Sequence, residues 1–360
     1  MSLLNPFEKR SSTPAISTMP YIFTEKGFVP NNLISATQAL KNSDLYSVTS
    51  LISSDIAGAR FKGTNSLAVE LLNHPSKFNN KVSYWQTALL NLLLNGNSFM
   101  LIERDGGVVS GLRMIPSNAV TIDITDDVLT YDINAFDEFP TINNVPASDM
   151  IHAKIMAYGD TQLDMLIGHS PLEALANEIN QQNQANKLSL TTLKGAINPT
   201  SLIKIPEGTL SKEAKKAVRS EFEEANTGEN AGRVMVLDQS ADFSTVSINA
   251  DVAKYLANLD WGRTQIAKTF GVPDSYLNGS GDQQSSLDQI SALYVGGLNR
   301  YIEPLMSELN FKLGGDLQLD MAQIMDYSNT TFKEDVLNWV DKQIITPSEA
   351  RELLARRGVI

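Results

Sequence analysis

The sequence contains no cysteine, which removes disulfide frameworks and thiolate metal sites together and suits a reducing compartment. Histidine is scarce as well: His74, His152 and His169 stand far apart, with no His-Glu-x-x-His helix and no paired ligand spacing, so zinc chemistry has no foothold. Long apolar runs are also missing. Residues 88–94 are interrupted by Asn91 and followed by Asn95, far short of the roughly 20 residues that a spanning helix needs, so no membrane contact is expected. The opening MSLLNPFEKRSSTP lacks the apolar stretch and small-residue cleavage site of a secretory signal. No glycine-rich loop ends in Gly-Lys-Ser/Thr, and Gly279-Ser280-Gly281 is too short for a dinucleotide fingerprint. Neither a metal nor a cofactor is expected.

Positive charge is in short supply: 29 Lys and Arg face 41 Asp and Glu, for a formal charge of −12. Tight nonspecific grip on a phosphate backbone comes from Lys and Arg displacing counterions, so this chain is a poor DNA clamp, though it could let DNA pass. The sequence does have bulk. Its 360 residues are 42% hydrophobic and 19% charged, ordinary for a folded protein with a real core and long enough for two or three domains.

Residues 1–30 mix Ser, Thr, Pro and Gly without sustained periodicity and read as an arm. From Asn32, apolar positions at Leu33, Ile34, Leu40, Leu45, Val48, Leu51, Ile52 and Ile56 predict helix, stopping at Gly58, and a second helix runs from Ser83 to Asn95-Gly96. Residues 98–103, 108–115 and 120–124 are short β-prone runs separated by turn residues. Asp123, Asp126 and Asp127 lack the spacing and glycine of a calcium loop and are expected to form a solvated hairpin turn.

Ser170-Pro171-Leu172-Glu173 predicts a capped helix start, with Ser170 as cap, Pro171 in the first turn and Glu173 closing a capping box. That helix should run to Gly195, and its middle, 180–184, is polar on every face, so it is either solvated or turned toward a neighbouring chain. A strand at 201–205, a helix capped by Ser211 and a strand pair near 234–237 and 243–248 form a small module; helix resumes over 251–271. Gly271-Val272-Pro273 ends it. The polar loop that follows leads to a helix starting at Ser285 with Asp288 as box partner, in which Gly296, Gly297 and Pro304 predict a kink. Two more capping boxes are expected, Thr331 with Glu334 and Thr346 with Glu349, the last helix stopping at Gly358.

Gly168-His169-Ser170-Pro171 has the outline of a nucleophile elbow, yet Leu172 replaces the second glycine and a proline follows the serine. Ser170 therefore reads as a cap, and no carboxylate pair is marked as acid and base. Catalysis is not expected.

Five phrases in order carry a family likeness: ALKNSDLYSVTSLISSDIAGARFK, LLNHPSKFNNKVSYWQTALLNLLLNGNSFMLIERDGG, MIHAKIMAYGDTQLDMLIGHSPLEAL, LKGAINPTSLIKIP and IAKTFGVPDSYLNG, spanning roughly 33–313. Together they resemble the portal proteins of tailed bacteriophages, in the short siphovirus-type form. The resemblance implies a mixed α+β fold: an N-terminal arm (1–30), a helix-rich wing (31–169), a first stem helix (170–195), a small α/β clip (196–250), a second stem helix (251–271), a tunnel loop (272–286), and a kinked wing helix with C-terminal helices (287–360). Because the sequence stops at Ile360, the crown is expected to be minimal or the chain truncated.

The resemblance also implies a homo-oligomeric ring, usually of twelve subunits, at the portal vertex of a virion and in the host cytoplasm during assembly. Double-stranded DNA would pass through it without sequence specificity. Its other partners would be the terminase large subunit, the major capsid protein and a head-tail adaptor. The channel edge would be Asn278, Gly279, Ser280, Gly281, Asp282, Gln283, Gln284 and Ser285. Neutral amides and one acid suit sliding contacts there, where a lysine collar would hold the duplex. Two other readings remain open: a head-tail adaptor without a channel, and a hydrolase or peptidase built around His169 and Ser170.

Overall fold

The computed structural model describes residues 36–197, 259–278, 284–322 and 329–360, with residues 10–12, 21–24, 27–30, 201–204, 211–213, 216, 217, 220, 242–245 and 326. They form an α+β fold in two units, one of residues 1–177 and 263–360, the other of 178–262.

The first unit begins with strands β1 (Arg10–Ser12), β2 (Tyr21–Thr24) and β3 (Gly27–Pro30), followed by helices α1 (Ala36–Ala39) and α2 (Ser43–Gly58). Apolar periodicity predicted one helix here; the chain makes two because Asn42 caps the second. Its Oδ1 accepts the amides of Asp44 at 3.0 Å and Leu45 at 3.1 Å, a bond that a mid-helix asparagine could not make. Strand β4 (Arg60–Lys62) and helix α3 (Ser66–Asn73), which periodicity did not mark, lead to α4 (Lys81–Asn95). Helices α2 and α4 pack together, with Leu45, Val48 and Ile52 buried on one and Tyr84, Trp85, Leu89 and Leu92 on the other. Each such side chain contributes about 1.5–3 kcal/mol of burial.

Left-handed Gly96 closes α4 and starts β5 (Asn97–Asp105), which pairs with β6 (Val108–Ile115) from Phe99↔Ile115 to Asp105↔Val108. Strands β7 (Val120–Thr125), β8 (Val128–Ile133), β9 (Ile142–Pro146) and β10 (Met150–Lys154) complete two sheets, ordered β10-β5-β6 and β1-β7-β8-β9. Phe99, Ile115, Val120, Ile122, Tyr131, Ile133, Val145 and Met150 share one core cluster drawn from both sheets. Asp126 and Asp127 form the exposed β7–β8 turn with φ of 53° and 61°, as a type I′ hairpin requires. Asp123 departs from the expected solvated turn: it lies within β7, opposite Ser11 of β1, and is buried.

The helix predicted over 170–195 is interrupted. Helix α5 (Pro171–Ala174) closes at Leu175, whose N–H bonds the Leu172 carbonyl three residues back, and α6 (Ala176–Ile197) starts afresh. In the second unit Ile179, Gln182 and Ala185 form a buried stripe on α6, while Asn180, Gln181, Asn183 and Gln184 face outward. Strands β11 (Ser201–Lys204) and β12 (Asp242–Thr245) pair antiparallel, Ser201↔Thr245 to Lys204↔Asp242. The strand expected at 234–237 and most of the helix expected after Ser211 lie outside the described residues.

Helices α7 (Leu259–Phe270), α8 (Asp274–Asn278) and α9 (Gln284–Leu313), strand β13 (Gln318–Asp320) and helices α10 (Thr330–Asp341) and α11 (Pro347–Arg356) follow. The Thr346–Glu349 capping box forms on α11. The one expected at Thr331 with Glu334 does not: left-handed Asn329 is the cap residue, and Asp326 instead accepts the Phe332 amide at 2.7 Å. Among the described residues no helix is long and apolar enough to cross a membrane.

Candidate functional site

The segment predicted to rim an opening is mounted on three helices. Helix α7 ends in a Schellman motif: Gly271 takes φ of 75°, its N–H bonds the Lys268 carbonyl at 3.1 Å, and the Val272 N–H bonds the Ala267 carbonyl at 2.9 Å. Val272 is buried, and Pro273 prevents the helix from resuming at once. The sequence predicted loop from 272 to 286; the structure instead places the short helix α8 inside it, ending at Asn278, and starts α9 at Gln284, one residue before Ser285. Gly279, Ser280, Gly281, Asp282 and Gln283 lie outside the described residues.

The turn is seated on α9 by a close backbone approach. A Cβ at Gly297 would fall 2.5 Å from the Gly271 carbonyl oxygen, and the Tyr301 hydroxyl donates to the Phe270 carbonyl at 2.9 Å. Gly297 is thus required for contact as well as marking a weak point in the helix. Gly296 faces open space. Pro304 sits inside α9, which continues to Leu313 although proline offers no N–H to the carbonyl one turn back.

On the opposite flank, Tyr276 of α8 stacks on Tyr294 of α9, with ring centroids 4.3 Å apart and planes at 16°. The buried Tyr294 hydroxyl donates to Asp55 Oδ2 of α2 at 2.7 Å. Burial pushes the Asp55 carboxyl up from its ordinary value, against the Tyr294 hydrogen bond, which lowers it. Burial first, and then Asp55, push both tyrosine hydroxyls up, so they remain protonated donors.

The helix start at Ser170 has the predicted capping box: its hydroxyl accepts the Leu172 amide at 3.0 Å and Glu173 accepts the Ser170 amide at 3.2 Å. The Ser170 hydroxyl also donates to the Leu93 carbonyl at 2.6 Å, which commits its proton and ties α5 to α4. His169 directs Nδ1 to Glu173 at 3.0 Å. This is the arrangement of a cap and tether. Ser170→Ala is expected to lower stability by about 1–2 kcal/mol, read as a fall in thermal midpoint; an unchanged midpoint would show that neither bond contributes.

Sequence reasoning missed a buried polar knot beside this cap. Gly168 donates its N–H to Asn97 Oδ1 at 2.8 Å, and Asn97 Nδ2 donates to the Gly168 carbonyl at 2.9 Å. Since that oxygen is an acceptor, His152 Nε2 carries a proton and donates to it at 3.1 Å, leaving Nδ1 to accept from the Tyr131 hydroxyl at 3.2 Å. Burial, then Lys154 and Lys312, hold His152 well below the usual histidine range, so the ring is neutral. Among the described residues no group of three or more His, Asp or Glu is placed to hold a metal ion.

The family model for phage portal proteins matches residues 43–354, from the start of α2 into α11. The chain belongs to the phage portal protein family. A probable portal protein of Streptomyces phage phiC31 is 27% identical over 207 residues, 55% of this chain and 44% of that one, so the portal chain here spans under half of that relative. An uncharacterized Rickettsia felis protein is 24% identical over 292 residues, 79% of this chain and 71% of its own. Solved structures share the portal fold. A HK97 family phage portal protein from Corynebacterium diphtheriae has a TM-score of 0.58 at 15% identity, covering 81% of this chain and 96% of its own. The neck of a native gene transfer agent particle, computed with C12 symmetry, has a TM-score of 0.61 at 20% identity, covering 88% and 90%.

Proposed function

We propose that this portal protein forms a homo-oligomeric ring at one vertex of a virion and that duplex DNA passes through its centre during packaging and ejection. The observation that carries the reading is the portal family match, joined to a chain that leaves one compact unit at α6 and returns to it at α7. In this reading α6 and α7 are the paired stem. Their contact supports it: a Cβ on Gly262 would fall 2.7 Å from Gln182 Nε2, so the Gln182 side chain of α6 lies directly against the backbone of α7. The segment between them is the clip, and 278–285 rims the channel. The outward amides of α6 suit contact with a neighbouring subunit, since uncharged polar groups can pair across an interface without burying charge. Twelve subunits, as in the C12 neck, would close the ring.

The net charge of −12 fits a conduit better than a clamp, because a surface that binds phosphates tightly would resist sliding. No catalytic step is assigned to the chain; a terminase large subunit would supply the motor, and the capsid protein and a head-tail adaptor would dock on the ring.

Electron microscopy of the purified chain or of particles is expected to show a ring with a central hole. Deleting 279–284 is expected to reduce nuclease-protected DNA to background while particles still assemble. Rings that package normally without the loop would overturn its assignment to the channel and favour an adaptor without a lining role.

A further inference from the structure

Only five residues, 279–283, separate helices α8 and α9, and these two described helices are joined to each other and to a third. Tyr276 lies three residues before the loop, and Tyr294 lies on α9 beyond it. Their rings stack in parallel, and the hydroxyl of the buried partner is bonded to Asp55, far away in sequence on α2. The Gly271–Gly297 contact anchors the preceding turn at a second point.

We infer that Tyr276, Tyr294 and Asp55 form a clamp that positions the root of the channel loop, so that the packing of α2, rather than α7 alone, sets where the loop stands. This rests on the channel reading above. The argument is one of closure. Bringing Tyr276 against Tyr294 closes the chain segment between them, and once closed, that segment samples far fewer conformations than a loop tethered only at α7. The stack supplies the closing contact, and the hydrogen bond to Asp55 fixes the orientation of the Tyr294 ring on which Tyr276 rests. Tyr276 is half-buried, whereas Tyr294 belongs to the core, so the first can be removed without emptying the core. Stacking needs a ring and not a hydroxyl at position 276; phenylalanine there should serve as well as tyrosine.

The test uses the full chain assembled in particles, with Tyr276→Ala, Tyr276→Phe and the 279–284 deletion side by side. Backbone hydrogen exchange at 274–286 and nuclease-protected DNA per particle are both measured. Tyr276→Ala is expected to exchange about tenfold faster across this segment, with unchanged exchange in α2 and α4, and to package less DNA. Tyr276→Phe is expected to restore both readings. Unchanged exchange in Tyr276→Ala would overturn the clamp. Faster exchange with normal packaging, in particles where the deletion abolishes packaging, would overturn the positioning role and leave the channel reading standing. Normal packaging by the deletion itself would sink the channel reading, and the inference with it.

Discussion

Replacing Gly96 with alanine is expected to cost the first unit about 4 kcal/mol or more, enough to unfold a marginal domain, whereas Gly106→Ala is expected to cost about 1 kcal/mol. Both glycines are left-handed, with φ of 74° and 58°. The backbone strain is therefore similar, and the difference lies in what surrounds them. A Cβ at Gly106 meets open space, while one at Gly96 falls 2.6 Å from the carbonyl carbon and oxygen of Gly168. Those are backbone atoms held by their own bonds. Ile155 donates to the Gly96 carbonyl at 3.0 Å and His169 donates to the Ile155 carbonyl at 2.8 Å, so the 168–169 segment cannot retreat without breaking the ladder. Urea midpoints of the two variants measure the contrast. Equal losses would mean that conformational strain alone makes glycine necessary at position 96.

Acid is expected to destabilise the protein through His152 before the carboxylates protonate. The unfolded histidine takes up a proton near pH 6.5, whereas the folded one, buried between Asn97 and Tyr131, resists protonation until well below that. Its folded value is depressed, so its contribution is fully present above about pH 6.5. It shrinks as the pH falls from there toward the folded value, by up to about 1.4 kcal/mol per pH unit while only the unfolded state binds the proton. Protonation would also turn Nδ1 from an acceptor into a second donor facing the Tyr131 hydroxyl. Urea midpoints from about pH 7 to about pH 5 check this, with His152→Gln as the comparison. The variant is expected to be less stable at neutral pH and to show a flatter slope; parallel slopes would assign the acid sensitivity elsewhere.

His152 sits near Lys154 and Lys312, and Glu308 accepts its backbone amide at 3.3 Å, so the knot joins β10 to α9. Loss of the knot would therefore be felt by the helix that carries Tyr294 and Gly297. Stability of the first unit and placement of the candidate channel edge share one element.

Much of this protein was legible in the sequence alone. Caps and stops such as Ser170 with Glu173, Thr346 with Glu349, Gly96, Gly271 and Gly358 act within about six residues, and the hairpins around Gly106 and Asp126-Asp127 depend on adjacent positions. The five ordered phrases were also enough to point to the portal family. Where local signals failed, a neighbour along the chain had competed for the same backbone group: Asn42 divided the first helix, and Asp326 replaced the box expected at Thr331. Tertiary structure decided the rest, because the partners are remote in sequence. Asn97 meets Gly168 across 71 positions and His152 across 55, and Asp55 meets Tyr294 across 239. No periodicity encodes such meetings: they exist only once helices and sheets have packed, and burial then makes each polar group require the partner it finds.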